Sequence, residues 1–349
     1  LPLGSQAALE DSLFQRDAAS EFNGMFLRVF RLIITAELLG AVLLFTVFVR
    51  TERPLVAAWS ALFHSVSAFC NAGFSLYSAN LEPFAGSPVV MSTIMVLVIL
   101  GGLGPTVLAE LYRYLRWFIW PASATDREYH RLSVQTKVVL SMSALLILGG
   151  AVSFVLFGLR EGQGDSWFSG ALFHSVVART AGFNAVSMGS VPDASLMVFL
   201  LLMFVGGSPG SCAGGVKTTT FAIWLGRIWS GLGAREEVTL FGRAVSGDMT
   251  RRALLLVGVG IIWCFAGTMV LSIFEGPAHN LRELMFEQVS AFGTVGLSLN
   301  LTPHLGTPAR LWLILTMFVG RLGPLSVALW AIPRNRGNVS YPEGRIMIG

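Results

Sequence analysis

Six stretches of this chain are apolar for about 20 residues or more, the length that crosses a bilayer. They fall at about 29–49, 88–111, 136–158, 195–228, 252–274 and 309–331. Backbone N–H and C=O groups in lipid have no water to bond, so a spanning chain folds as helices or as a closed barrel. Runs of this length read as helices, and the expected fold class is an all-α polytopic membrane protein. Composition agrees. Of 349 residues, 54% are apolar and 13% charged, about half the charged share of a soluble domain. Mean hydropathy is +0.67. A soluble enzyme, a nucleic-acid binder and a disordered scaffold are all argued against. The net charge of +4 belongs to the loops of a membrane protein and calls for no nucleic-acid partner. Cys70, Cys212 and Cys264 are isolated in sequence, so neither a disulfide framework nor a zinc site is expected.

Two irregularities stand out along the chain. The fourth run is interrupted by GGSPGSCAGG, Gly206 to Gly215, and resumes through Lys217. Shorter apolar runs lie between paired crossings at 59–69, 167–178 and 282–292. They are too short to span and suit re-entrant half-helices. Basic residues set the orientation. Sixteen cluster at the N-terminus (Arg16, Arg28, Arg31), around 113–137, around 227–252 and at the C-terminus (Arg334, Arg336, Arg345). The opposite side holds Arg50, Arg53, Arg160, Arg282 and Arg310. Both termini of this chain are therefore expected to be cytoplasmic, with the half-helices entering from outside.

The short runs belong to an internal repeat. ALFHSVSAFCNAGFS (61–75), ALFHSVVARTAGFNA (171–185) and LMFEQVSAFGTVGLS (284–298) align, the second being one residue shorter. Their glycines are Gly73, Gly182 and Gly296. A second set follows in the same order: LVILGGLGPT (97–106), LMFVGGSPGS (202–211) and TMFVGRLGPL (316–325). The unit is helix, half-helix, glycine loop, helix. An extended loop at membrane depth exposes carbonyls that cost several kcal/mol each in lipid. Lining a water-filled path, they replace the hydration shell of a cation. A half-helix entering from outside also aims its partly negative C-terminal end inward. Three such loops at a fixed period point to a cation filter.

These motifs resemble the Trk/Ktr/HKT superfamily of potassium transporters. HSVSAFCNAGF, ARTAGF and SAFGTVGL resemble its second, third and fourth filter segments, and the ending VSYPEGRIMIG favours the bacterial KtrB branch. The resemblance covers essentially the whole chain. It implies pore units around a central ion pore, divided here as a linker (1–27), a second unit (28–118), a third unit with a broken gate helix (119–229), a fourth unit (230–333) and a cytoplasmic tail (334–349). The superfamily has four units and this chain shows three, so a first unit is expected ahead of Leu1. A three-unit protein that completes its pore with another chain is the alternative.

The resemblance further implies an ion-conducting subunit for K+ in the bacterial inner membrane, with no enzymatic activity and no cofactor beyond the permeating ion, with Na+ as an activator. It implies a homodimer, helped by residues around Tyr341 to Gly349, and a cytosolic ring of KtrA-type subunits that bind the regulatory nucleotide. The filter residues would be Asn71, Ala72, Gly73, Thr180, Ala181, Gly182, Thr294, Val295 and Gly296. Gly206, Gly207, Ser208, Pro209, Gly210, Ser211, Cys212, Ala213, Gly214 and Gly215 would form an intramembrane gate loop. Arg321 replaces the glycine found at Gly102 and Gly207 and would project beneath the filter to repel cations and meet that loop.

Other residues carry rival readings. Arg179 beside a filter is expected to turn outward and pair with Glu287. VKTTT after Gly215 lacks the glycine directly before Lys217 that a phosphate loop needs. Gly206–Gly210 matches G-x-S-x-G, and with His64, His174 and Asp193 offers Ser208 as the nucleophile of an intramembrane hydrolase. The motif requires a strand-to-helix turn, whereas this stretch interrupts an apolar helix. A non-conducting structural membrane subunit is a third class.

Overall fold

The computed structural model describes residues 19–119, 132–158, 167–233 and 237–323. Its helices are α1 (Ala19–Phe48), α2 (Pro54–Phe69), α3 (Pro88–Leu103), α4 (Pro105–Ile119), α5 (Val134–Leu156), α6 (Trp167–Val177), α7 (Asp193–Phe204), α8 (Thr218–Leu232), α9 (Gly247–Glu275), α10 (Leu281–Gly293) and α11 (Thr307–Leu322). One departure from an all-α chain is a two-residue ribbon between α8 and α9, β1 (Thr239–Leu240) against β2 (Arg243–Ala244). The segment read as a linker extends into α1, which begins at Ala19. The readings that fall on 1–18 and 324–349, including the tail and the Tyr341–Gly349 contact, lie outside the described residues.

Local chemistry sets the helix starts. Ser133 accepts from Thr136 N at 3.2 Å, and Ser246 from Met249 N at 3.4 Å. Asn280 and Glu283 form a reciprocal capping box at α10. Pro54, Pro88 and Pro308 sit in first turns, where their missing N–H costs nothing.

Among the described residues, three helical stretches are long and apolar enough to cross a membrane: Val29–Phe48, Val134–Leu156 and Gly247–Ala278. The run expected as one crossing at 88–111 is instead two helices bent by 106°. Gly104 sits there at φ +81, and Pro105 cannot donate back into α3. Counting that pair as one span gives four. The fourth run is α7, a loop and α8. The sixth is described only as α11, whose helix is capped at Gly323. The molecule is a multi-pass helical membrane protein, and its described residues hold fewer continuous spans than the sequence has apolar runs.

The helices pack in three sets, α1–α2–α3, α5–α6–α7 and α9–α10–α11. α3 meets α6, α7 meets α10, and α8 lies against both α5 and α9. Equivalent glycines form the seams. A side chain at Gly40 would strike Ser65, one at Gly150 would strike Ser175, and one at Gly267 would strike Gln288. Gly101 and Gly320 likewise press against the carbonyls of Phe69 and Phe292 at the ends of α2 and α10. The outer faces remain apolar: Leu38, Leu39 and Val42 of α1 and Ile262, Phe265 and Ile273 of α9 are exposed. Water would penalise such faces, and lipid accepts them.

Candidate functional site

The three short helices α2, α6 and α10 run into loops with one shared backbone signature. Asn71, Thr180 and Thr294 have φ of 50°, 77° and 51°, and Gly73, Gly182 and Gly296 have 68°, 75° and 93°. A left-handed β-branched threonine is a costly choice, and such strain concentrates at functional sites. Within each loop the middle residue's N–H is turned back to its own helix. Ala72 N donates to Ser67 O at 2.8 Å, Ala181 N to Val177 O at 3.0 Å and Val295 N to Ser290 O at 2.9 Å. Among the described residues, none of the nine carbonyls from Asn71 to Gly73, Thr180 to Gly182 and Thr294 to Gly296 accepts a protein hydrogen bond. The loops also touch in series. A side chain on Gly73 would run into Ala181 O, and one on Gly182 into Val295 O. Gly296 faces open space.

Behind two loops stand buried histidines. His174 Nε2 accepts from Ala185 N at 3.4 Å, so the proton sits on Nδ1, which donates to Gly170 O at 2.8 Å. His64 bridges Ser60 O at 2.7 Å and Ser75 Oγ at 3.0 Å. At the equivalent place in α10, Glu287 accepts from Thr302 Oγ1. Each group ties its half-helix to the chain emerging from its loop. The sequence offered these histidines to the hydrolase reading; the signal for their bracing role is their matched position in the repeat.

The broken helix closes on itself. Val205 and Val216 form an isolated bridge, with Gly206 N donating to Val216 O at 2.9 Å and Val216 N to Phe204 O at 3.1 Å. The loop between them is held from three sides. Ser208 N donates to Gly102 O at 3.0 Å, and Gly215 N to Gly320 O at 3.2 Å. Arg321 Nη1 donates to Cys212 O, and Lys217 Nζ to Ala213 O. Gly214 packs on the side chain of Thr294, and Gly206 on the methyl of Thr180. The loop therefore seats against the first residue of two glycine loops.

Arg321 stands in the last turn of α11, where the helix dipole favours a cation. Two expectations are corrected. Arg179 does not pair with Glu287. Its guanidinium reaches Ser143 Oγ at 3.3 Å and Gly206 O at 3.5 Å, buried behind the loop of the broken helix. The hydrolase constellation does not assemble. Ser208 Oγ meets Thr218 Oγ1 at 3.4 Å, His64 and His174 are engaged as described, and Asp193 pairs with Arg282 at 2.7 Å. Among the described residues, no group of three or more His, Cys, Asp or Glu side chains is placed to hold a metal ion.

Half-helices returning through extended glycine loops, inside a multi-pass helical frame, define a class of membrane protein concerned with ion passage. The chain belongs to the TrkH family of cation transport proteins, whose family model matches residues 25–338. It is 32% identical to the Ktr system potassium uptake protein B of Vibrio alginolyticus, over 100% of this chain and 75% of that protein. It is 31% identical to the protein of the same name from Bacillus subtilis, over 99% and 77%. The potassium/sodium uptake protein NtpJ of Enterococcus hirae is 33% identical over 93% and 72%. In fold it is similar to the potassium transporter TrkH of Vibrio parahaemolyticus, with a TM-score of 0.67 and 16% identity, covering 91% of this chain and 66% of that one.

Proposed function

We propose that this chain is the membrane-embedded, ion-conducting subunit of a potassium uptake system in a bacterial inner membrane, with both termini of the chain cytoplasmic. K+ passes the carbonyls of Asn71–Gly73, Thr180–Gly182 and Thr294–Gly296, in pore units spanning 28–118, 119–229 and 230–333. The loop from Gly206 to Gly215 gates that path, with Arg321 holding it through the Cys212 carbonyl and adding a positive barrier. The observation that carries this reading is the serial contact of three loops whose carbonyls accept no protein hydrogen bond. Carbonyls left unpaired at membrane depth are tolerated where an ion or water meets them. The relatives' names supply potassium as the cargo. The subunit acts as a homodimer beneath which a KtrA-type ring binds the controlling nucleotide, and Na+ is an activator.

Rubidium uptake tests the proposal in cells that lack their own potassium uptake systems and supply a KtrA-type partner. The chain is expressed as it stands and, in a second strain, behind the preceding part of the Vibrio alginolyticus relative. Uptake above the empty vector in either strain is expected. Uptake in neither, with the protein inserted, would leave a non-conducting structural subunit as the better reading.

A further inference from the structure

α4 turns away from the helix it follows. α3 and α4 meet at 106°, whereas spanning helices tilt from the bilayer normal by no more than about 40°. A helix so bent from a membrane-crossing neighbour runs close to the plane of the bilayer. A second observation sets its depth. Glu110 Oε2 accepts from Ser133 N at 3.3 Å and from Ser133 Oγ at 3.0 Å. Ser133 is the N-cap of α5, at the start of its Val134–Leu156 crossing. The middle of α4 is thus anchored at the end of a span, which is the membrane boundary. The two ends of α4 differ in chemistry. Val107 and Leu108 are buried in its first turn. Beyond Glu110, Tyr112, Leu115 and Phe118 are exposed, Phe118 by 72%. Three residues apart, they share one side of the helix. Arg113 and Arg116, also three apart, form an exposed row beside them. Among the described residues, neither arginine has an acid partner. Lys137, in the first turn of α5, is exposed at the same boundary.

We propose that α4 is an interfacial helix that binds anionic phospholipid headgroups. Tyr112, Leu115 and Phe118 enter the boundary between headgroups and acyl chains, and Arg113 and Arg116 take the lipid phosphates. An apolar side next to a basic side, on a helix lying along the bilayer, is the pattern that such a surface accepts. Each half of the pattern excludes a different alternative. Exposed Leu115 and Phe118 are costly in water and cost nothing against acyl chains. Two guanidiniums without acids are costly in the hydrocarbon core, and a headgroup phosphate meets each with paired N–H donors. The occupant is therefore lipid, at the depth of its phosphates, and a negatively charged headgroup is favoured over a zwitterionic one. The claim does not depend on ion conduction.

Two measurements on the whole chain test this. The first reads depth. Cys70, Cys212 and Cys264 are changed to Ser, Phe118→Cys carries a nitroxide, and the chain is placed in vesicles of phosphatidylcholine and phosphatidylglycerol. Collisions with oxygen and with a water-soluble nickel chelate should put the label about 5–10 Å into the headgroup and acyl boundary. The same label on Ile262→Cys, exposed midway along α9, should sit near the bilayer centre. A Phe118 label in bulk water, as a helix that docks a soluble partner requires, or as deep as the Ile262 label, would overturn the interfacial placement. The second measurement reads the headgroup. In a neutral detergent, phosphatidylglycerol should raise the thermal unfolding temperature of the wild type by several degrees and phosphatidylcholine by far less. High salt should remove most of that difference. The double variant Arg113→Gln, Arg116→Gln should lose at least half of it. Equal shifts with the two lipids, or an undiminished difference in the double variant, would overturn the headgroup site.

Discussion

Gly182 shows how one residue can carry two constraints. Its φ of 75° costs an ordinary L-residue about 1–2 kcal/mol. A methyl there would also strike the carbonyl of Val295 in the next loop. Gly182→Ala is therefore expected to lower rubidium uptake about tenfold or more, since every 1.4 kcal/mol is a factor of ten. Normal uptake by this variant would mean that the loops need not touch. Arg321 works in the opposite sense. Its side chain braces the gate loop at Cys212 O, so Arg321→Ala is expected to raise uptake severalfold at normal expression; slower uptake would count against a barrier. His174→Leu removes a buried brace while keeping bulk. Leaving Ala185 N and Gly170 O without their partner is expected to cost about 1–3 kcal/mol, readable as earlier thermal unfolding in detergent. The sequence placed both histidines at matched positions but could not reveal their partners. A hydrogen bond across a loop depends on where the chain returns, and no periodicity records that.

At the scale of elements, the repeat was the legible part. The expected half-helices 59–69, 167–178 and 282–292 fall within or beside α2, α6 and α10. Hydropathy reported the 88–111 run as one span because it sums transfer energy and ignores dihedral angles. The break was written in Gly104–Pro105, the same Gly-Pro pair that ends the third copy of the motif at Gly323–Pro324. Arg179 and Glu287 were matched by charge alone. Packing instead sends Arg179 to the back of the Gly206–Gly215 loop and Glu287 to Thr302. That loop's hydrogen bonds to Gly102 and Gly320 join it to the neighbouring helix sets. Deleting Gly210 to Ala213 removes the Cys212 carbonyl that Arg321 grips while leaving the Val205–Val216 bridge. Severalfold faster rubidium flux is expected, and unchanged flux would sink the gating role.

For the molecule as a whole, the passive passage proposed above would make the membrane potential the driving force. A charge crossing 100 mV gains about 2.3 kcal/mol, enough for about fiftyfold accumulation. Proteoliposomes carrying the active system should load rubidium to that order under an imposed potential of this size and not without one. Loading indifferent to the potential would point to coupled, electroneutral exchange. The apolar exterior of α1 and α9 carries a thermodynamic corollary. Lipid tails are as greasy as the side chains that meet them, so docking one helix set on another gains little from expelling water. Cohesion must come from close contact, and the glycine seams at Gly40, Gly150, Gly267, Gly101 and Gly320 supply it. A large heat-capacity change on unfolding is the mark of newly wetted apolar surface. Helices that separate while remaining in the bilayer wet almost none, so the stability of this protein should vary only gently with temperature and should not weaken in the cold.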